Sequence, residues 1–484
     1  MTPTTVTERP ETTTRPIGPL TIPVAPPPTA APKAAAARTR LLLEGPIAST
    51  LLRLAAPNVV VNVLLIAVTA SVDAYFVGQL GSGALAGLAL VFPLLMLMQQ
   101  MANSSMGGAI ASAVARAIGA GRREEAATLV VHAVVIAGGM AALFASVLLF
   151  GGHAIYTLMG GRGEVLSAAV EYSNAIFAGA AVYWVLSALT SVVRGTGQPT
   201  VLAVVYLAAE MLHILLVPSL VFGIGPIPAL GITGAGLATV TSFAASILVL
   251  AWYLASGRTP LTFSRRNLRL DRRLFTDILR VGAPMSLQPV LNNLTLAMLT
   301  SFVGTLGPTA LAAFGVAMRL EYIQYPLTYG LGAGVVALVG TNVGAGKLAR
   351  ATRIAWTAAA LGIGFTAVLG LFAFAWPTGW TGLFSTSPEV QRATATYLCI
   401  AGLAYPFLGL GLPLSSAFQA GGRTMWPLLA IGNRVVVVAV GGWMALHVLD
   451  AGLAGLGIVA ACGLMVYGTT LALAFSAGVW NARR

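Results

Sequence analysis

Three side chains in the first half of this chain have the chemistry to take up and release a proton: Asp73, Glu210 and His213. Asp73 lies in the apolar run 54–78, and no basic residue in that run neutralises it. A carboxylate at membrane depth costs about 2.5–3.5 kcal/mol on insertion scales. A chain keeps one where it faces a cavity or a partner, commonly on an ion or proton path. The alternative is a side chain that snorkels to the interface. Asp is short, however, and Asp73 stands about five residues, or ~7 Å, inside the end of its run. Glu210 and His213 lie three apart in the run 198–222 and share one helix face. Glu210 is near the middle of that run, where snorkelling is hard. A carboxyl group deprived of water favours its neutral form, which moves proton exchange towards neutral pH, and histidine exchanges there already. The plainer reading is a buried Glu–His couple that satisfies only itself.

A second polar set lies in the other half: Arg319 and Glu321 in the run 312–340, and Arg434 in 424–449. Arg319 and Glu321, two apart, point to different faces. Glu321 and Arg434 each lie about ten residues into their runs, from opposite sides, so a structural charge pair is expected between them. His132 sits alone in the run 127–150. Cys399 and Cys462 are far apart and form no cluster with histidine, so no zinc, haem or iron–sulfur site is signalled. They read as small buried hydrophobes. There is no HisGluXaaXaaHis, no GlyXaaSerXaaGly and no Walker loop. That argues against a membrane-embedded enzyme, a resident cofactor and an ATP-driven pump within this chain.

The elements that position these groups belong to an integral membrane protein. Of 484 residues, 57% are hydrophobic and 8% charged, where a soluble protein carries about 25% charged. The net charge of +13 does not make a nucleic-acid surface, because the basic residues fall in short loops between apolar runs. Residues 1–45, rich in Thr, Pro and Ala, read as a disordered cytoplasmic tail without the continuous apolar core of a signal peptide.

Runs able to cross a ~30 Å hydrocarbon layer as helices occur near 54–78, 87–112, 127–150, 168–190, 198–222, 231–256, 280–304, 312–340, 352–376, 392–415, 424–449 and 453–480. One set of loops holds Arg116, Arg122, Arg123, Arg194, Lys347, Arg350, Arg353 and Arg423, together with seven arginines of 257–280 and the tail Arg483 and Arg484. The opposite loops hold Arg162 and Arg392. The positive-inside rule therefore puts both termini in the cytoplasm of a multi-pass protein of the cell membrane.

The halves repeat. Eight of the twelve positions 76–87 are identical to their partners at an offset of 226. IleGlyAlaGlyArg at 118–122 answers ValGlyAlaGlyLys at 343–347, and ArgGlyThrGlyGln at 194–198 answers GlnAlaGlyGlyArg at 419–423, both at 225. Six spans per half is an even number, so the repeat is parallel, about an axis along the membrane normal. Such repeats enclose a central site and rock between two openings. The expected fold is all-α: twelve transmembrane helices in two six-helix bundles, 46–256 and 281–484, joined by the linker 257–280. The end of that linker, DRRLFTDILR, groups Leu274, Phe275, Ile278 and Leu279 as a short amphipathic helix on the inner surface. At the same offsets Asp73 corresponds to Leu299, Glu210 to Val435 and His213 to Val438. These groups are not needed to build a half, which points coupling chemistry to the first.

The chain resembles the multidrug and toxic compound extrusion family of secondary transporters over about 46–480. ProAsn at 57–58, ValAspAlaTyrPheValGly at 72–78 and the repeated LeuGly…AlaLeuAla loops carry the resemblance. So do the GlyAlaGly-basic loops, ArgGlyThrGlyGln, and ThrGlyAlaGlyLeuAlaThr at 233–239. It implies two bundles in a V shape and export of amphipathic, often cationic compounds against inward H+ or Na+; a monomer in membrane lipid is expected. It also implies that Asp73 is the first-helix carboxylate binding the coupling ion, Pro57 the bending proline and Thr239 a sixth-helix hydroxyl near the ion. There are departures. HisIleLeuLeuValPro at 213–218 stands where members read AsnIleXaaLeuAspPro, and Asn292 stands where sodium-coupled members carry Glu. Both favour H+ over Na+. Asn292, Arg319, Glu321 and Arg434 are the candidate substrate-cavity residues. A lipid-linked saccharide flippase is the alternative. It needs cations in its cavity, and Arg319 and Arg434 are the basic groups read at depth.

Overall fold

A computed structural model of the protein describes residues 33–64, 69–224, 228–262, 267 and 269–481. Among them every regular element is helical. Helix α1 (Lys33–Glu44) comes first. The first span is α2 (Ile47–Leu64) and α3 (Ala70–Gly78). The second is α4 (Ser82–Gln100), a π-helical turn at Met101–Met106, and α5 (Gly107–Gly119). Then follow α6 (Arg123–Leu158), the fourth span α7 (Gly163–Ala178) and α8 (Ala180–Gly195), α9 (Pro199–Phe222) and α10 (Gly231–Ala255). The second half comprises α11 (Arg272–Gly304), α12 (Pro308–Gly344), α13 (Leu348–Ala375), the short α14 (Pro377–Gly382), α15 (Pro388–Ala401) leading into α16 (Tyr405–Ala420), α17 (Met425–His447) and α18 (Gly452–Ser476).

These helices form the twelve expected spans. Among the described residues nine helices are long and apolar enough by themselves to cross a membrane, and ten are when α7 and α8, bent by 48°, count as one. The first span is divided by residues 65–68, outside the described set. The seventh, α11, falls short because its apolar part carries Gln288, Asn292, Asn293 and two prolines; Gln288 and Asn292 face an internal cavity. Large apolar side chains such as Phe150, Leu248 and Leu473 lie on the outside, where lipid replaces the solvent of a soluble fold.

The repeat is structural. Gly81 and Gly307 open α4 and α12 at φ of 126° and 101°, and Gly121 and Gly346 turn the chain at 76° and 72°. These backbone angles are open to glycine and costly to other residues.

Two expectations need correcting. Residues 33–44 of the expected disordered tail form α1, because Lys33–Glu44 is mostly Ala, Leu and Arg, strong helix formers. Leu42 is buried among second-half side chains, and its carbonyl accepts from Asn342 Nδ2 at 3.0 Å. Residues 1–32 lie outside the described set. The linker's amphipathic segment is not a separate surface helix either. It runs unbroken into α11, and Leu274 and Ile278 are buried in the first half's core. Only Leu279 of the expected face is well exposed.

That burial reveals an exchange. The start of α11 packs into the first half, and Leu51, Leu54 and Ala55 of α2 pack into the second. The exchange lies at the end of the molecule that carries Arg116, Arg194, Lys347 and Arg350, hereafter the basic end. The halves are joined there. Ser112 Oγ donates to the Gln419 and Ala420 carbonyls at 3.0 and 3.1 Å, and Arg116 pairs with Asp277 at 2.8 Å.

Candidate functional site

Asp73 is 5% exposed, Glu210 3% and His213 2%. His213 Nε2 lies 3.0 Å from Asp73 Oδ1, and the Tyr172 hydroxyl donates to Oδ2 at 3.4 Å. One turn earlier on α9, Glu210 Oε1 accepts from the Thr69 hydroxyl at 2.7 Å. Residues 69 and 73 of the first span thus meet 210 and 213 of the fifth, as two rungs between helices running the same way. The spacing of four on one helix and three on the other keeps each set on a single face. The self-satisfied Glu–His couple is therefore not what forms: each member bonds across to the first span. Among the described residues Glu210 Oε2 and His213 Nδ1 are buried atoms without a hydrogen-bond partner, and both are positions that can carry a proton.

Thr239 is buried on α10, but its hydroxyl donates to its own helix, to the Ala235 carbonyl at 3.3 Å. No bond to Asp73 forms. Pro57 sits inside α2 without a break in the helix at that residue. His132 bridges within the fold, with Nε2 accepting from the Asp271 backbone N–H at 2.8 Å.

A cavity of about 120 Å³ lies between the halves. Its walls follow the repeat. Asn103 and Thr328, Ser104 and Tyr329, Gly108 and Ala333, Arg194 and Gln419, and Tyr206 and Ile431 are pairs at an offset of 225, and every member lines it. It therefore sits on the pseudo-two-fold axis. The π-helical turn after α4 supplies Asn103, Ser104 and Ser105. Gln419 Nε2 donates to the Ser104 and Ser105 carbonyls at 3.0 and 3.1 Å, bridging the halves at the cavity wall.

Of the candidate cavity residues, Asn292 and Arg434 line the wall together, with Arg434 Nη1 donating to Asn292 Oδ1 at 3.1 Å. Glu321 does not form the expected ion pair with Arg434. It is buried on α12 away from the lining and feels the Arg434 charge without touching it. Arg319 is exposed, its guanidinium carbon 4.8 Å from the centre of the Phe384 ring. It contributes nothing to the cavity. The second cation there is Arg194, read from sequence only as a loop charge. Its Nη1 donates to the Asn103 carbonyl at 3.2 Å. The signal was present: Arg194 aligns with Gln419, in matching motifs.

The family model MatE matches residues 59–218 and 284–444. The chain belongs to the MatE family of transporters. The matched blocks begin 225 residues apart and end 226 apart, the register of the internal repeat. Among relatives of this MatE protein, a "FAD transporter" of Shewanella oneidensis is 26% identical over 399 residues, covering 82% of this chain and 87% of the relative. "Probable multidrug resistance protein YoeA" of Bacillus subtilis is 28% identical over 356 residues, covering 72% and 76%. A solved transporter of the MOP superfamily from Pyrococcus furiosus superposes with a TM-score of 0.83 at 23% identity, covering 94% of this chain and all of that one, and so shares its fold. This MatE protein is a multi-pass membrane protein, and its bacterial relatives point to the cell membrane.

Proposed function

We propose that this MatE protein exports small amphipathic compounds across the cell membrane in exchange for protons taken up at Asp73. The observation that carries the reading is the buried bond between Asp73 and His213. Asp73 at this depth is expensive unless its charge is used or cancelled, and its partners are an imidazole and a phenol. Sodium prefers a shell of oxygens. Here the nitrogen of His213 occupies one carboxylate oxygen, which supports a proton as the coupling ion. Protonating Asp73 removes the negative charge that holds the first span to α9, so the bound and free forms favour different packings of the two helices. Differential binding of this kind is what couples two sites.

One face of α9 would carry the proton towards the cavity. Tyr206 lines the cavity wall, Glu210 follows one turn later, and His213 another turn on. Taking the basic end as cytoplasmic, from the distribution of Arg and Lys, the halves are joined on the inside. Pockets that hold drug-sized compounds measure roughly 300–1,000 Å³, so the cavity must widen by parting the halves. The names of the relatives span drug resistance and FAD transport, and both are compatible with export of a small organic solute.

The test is transport by proteoliposomes, with a pH gradient and a Na+ gradient imposed separately and with ethidium and riboflavin 5′-phosphate as alternative solutes. Movement of either solute under the pH gradient alone supports the reading. Movement under the Na+ gradient alone refutes proton coupling.

A further inference from the structure

Charge decides what the central cavity holds. We propose that it binds an anion: a planar aromatic compound bearing a phosphate or carboxylate group. The inference deepens the exporter reading and rests on that cavity being the substrate site.

Two guanidinium groups, Arg194 and Arg434, reach the wall, and among the described residues that line it there is no carboxylate. Among the described residues neither arginine is in an ion pair within 4.0 Å. Arg434 is 7% exposed. Glu321 is the buried acid near Arg434 and does not touch it; a buried guanidinium with no carboxylate in contact is costly, and an anion in the cavity supplies the missing contact and acceptors.

The unpartnered polar atoms of the wall point the same way. Three lining side chains carry buried atoms with no hydrogen-bond partner: Arg194 Nε, Arg434 Nε and Gln288 Nε2. All three are N–H donors. These atoms lie below the cavity surface, so an anion would meet the accessible ends of the same guanidinium and amide groups, whose donors want acceptors that a phosphate or carboxylate offers and an ammonium lacks. Glu321, the buried carboxylate nearest in sequence to the lining residue Tyr325, stays off the wall, so a cation entering the cavity would meet two like charges without a compensating acid.

The aromatic part of the proposal comes from Tyr325 and Tyr329. Both line the cavity, and their rings stack with centroids 5.9 Å apart and planes inclined by 23°. A stacked pair next to Arg434 presents a flat face beside a cation, suited to a ring that carries its charge at one edge. The proposal departs from the expectation of an often cationic solute.

Equilibrium binding to the detergent-purified full chain tests this without any gradient, so a failure of proton coupling would leave the result readable. Riboflavin and riboflavin 5′-phosphate share one ring system and differ by a phosphate; ethidium is the cationic ring. The phosphate ester should bind about tenfold or more tightly than riboflavin, the increment of one charge-assisted contact, and ethidium should bind more weakly than either. Arg434→Gln and Arg194→Gln should each shrink that preference while riboflavin binding persists, and Arg434→Lys should retain part of it. Persisting riboflavin binding also shows that the variants remain folded. Equal binding of the two flavins, tighter binding of ethidium, no binding of the phosphate ester, or a preference untouched by both substitutions to Gln would each overturn the proposal.

Discussion

Gly119 and Gly344 occupy matching positions of the two halves, 225 residues apart, and each lies against the other half's helix. A β-carbon on Gly119 would stand 2.0 Å from the Thr341 carbonyl oxygen, and one on Gly344 would stand 2.1 Å from the Arg116 carbonyl oxygen. Arg116 and Thr341 are themselves a repeat pair. The crossing of α5 and α12 is thus a reciprocal contact about the pseudo-two-fold axis, and it brings the backbones of the two halves close together at the basic end.

Gly344→Val should disfavour the state joined at the basic end. The obstacle is backbone, which cannot swing aside, and overpacking costs about 1–3 kcal/mol, a shift of about 5–150-fold in a two-state balance. Spin labels at Glu124 and Ala349, in a chain lacking Cys399 and Cys462, should report a growing long-distance population. An unchanged distance distribution would count against the crossing as the closure.

His213→Ala should destabilise the fold by about 3–5 kcal/mol, because it leaves Asp73 buried with only the long Tyr172 bond. Adding Asp73→Asn to that variant should recover much of the loss, since the buried charge is gone. Thermal unfolding of the two single variants and the double variant gives the coupling, expected at about 1–3 kcal/mol. Strict additivity would mean that the two side chains do not act as a pair.

Glu210→Gln keeps an oxygen to accept from Thr69 and so should keep the fold. It cannot pass a proton. Transport under a pH gradient should fall by about tenfold, equivalent to ~1.4 kcal/mol on the slowest step, with unfolding temperature unchanged. Normal transport would remove Glu210 from the path and leave Asp73 and His213 alone.

Leu42→Ala probes α1. Leu42 touches the turn glycine Gly197 of the first half while its carbonyl is held by Asn342 of the second, so α1 spans both halves at the basic end. Loss of a buried leucine side chain costs roughly 2–5 kcal/mol. Unfolding at lower temperature, with the same long-distance population seen between the labels at Glu124 and Ala349, is the expected result. Wild-type behaviour in both would make α1 a passenger.

The spans, the repeat and the buried acid were legible in the sequence because each rests on a strong physical signal. Lipid demands long apolar helices, duplication preserves register, and a lone carboxylate at depth stands out. What escaped depends on where a side chain reaches rather than where its backbone sits. Arg194 ends α8 and counts as a loop charge, yet its side chain turns inward to Asn103. Arg319 has the reverse fate: at depth by sequence, it lies exposed against Phe384. The π-helical turn that brings Asn103 to Ser105 to the wall has no hydrophobic period to announce it. Helix α1 was masked by the Thr- and Pro-rich composition of its neighbours, although its own residues favour helix.

Asp73, held by His213, is proposed as the group that takes up the coupling proton. Charge displacement after a pH jump, recorded from proteoliposomes adsorbed on a solid-supported membrane with no solute present, tests it most directly. A transient current is expected in the wild type, indifferent to replacing Na+ with choline, and largely lost in Asp73→Asn. An equal current in Asp73→Asn, or a current evoked only by a Na+ jump, would contradict it.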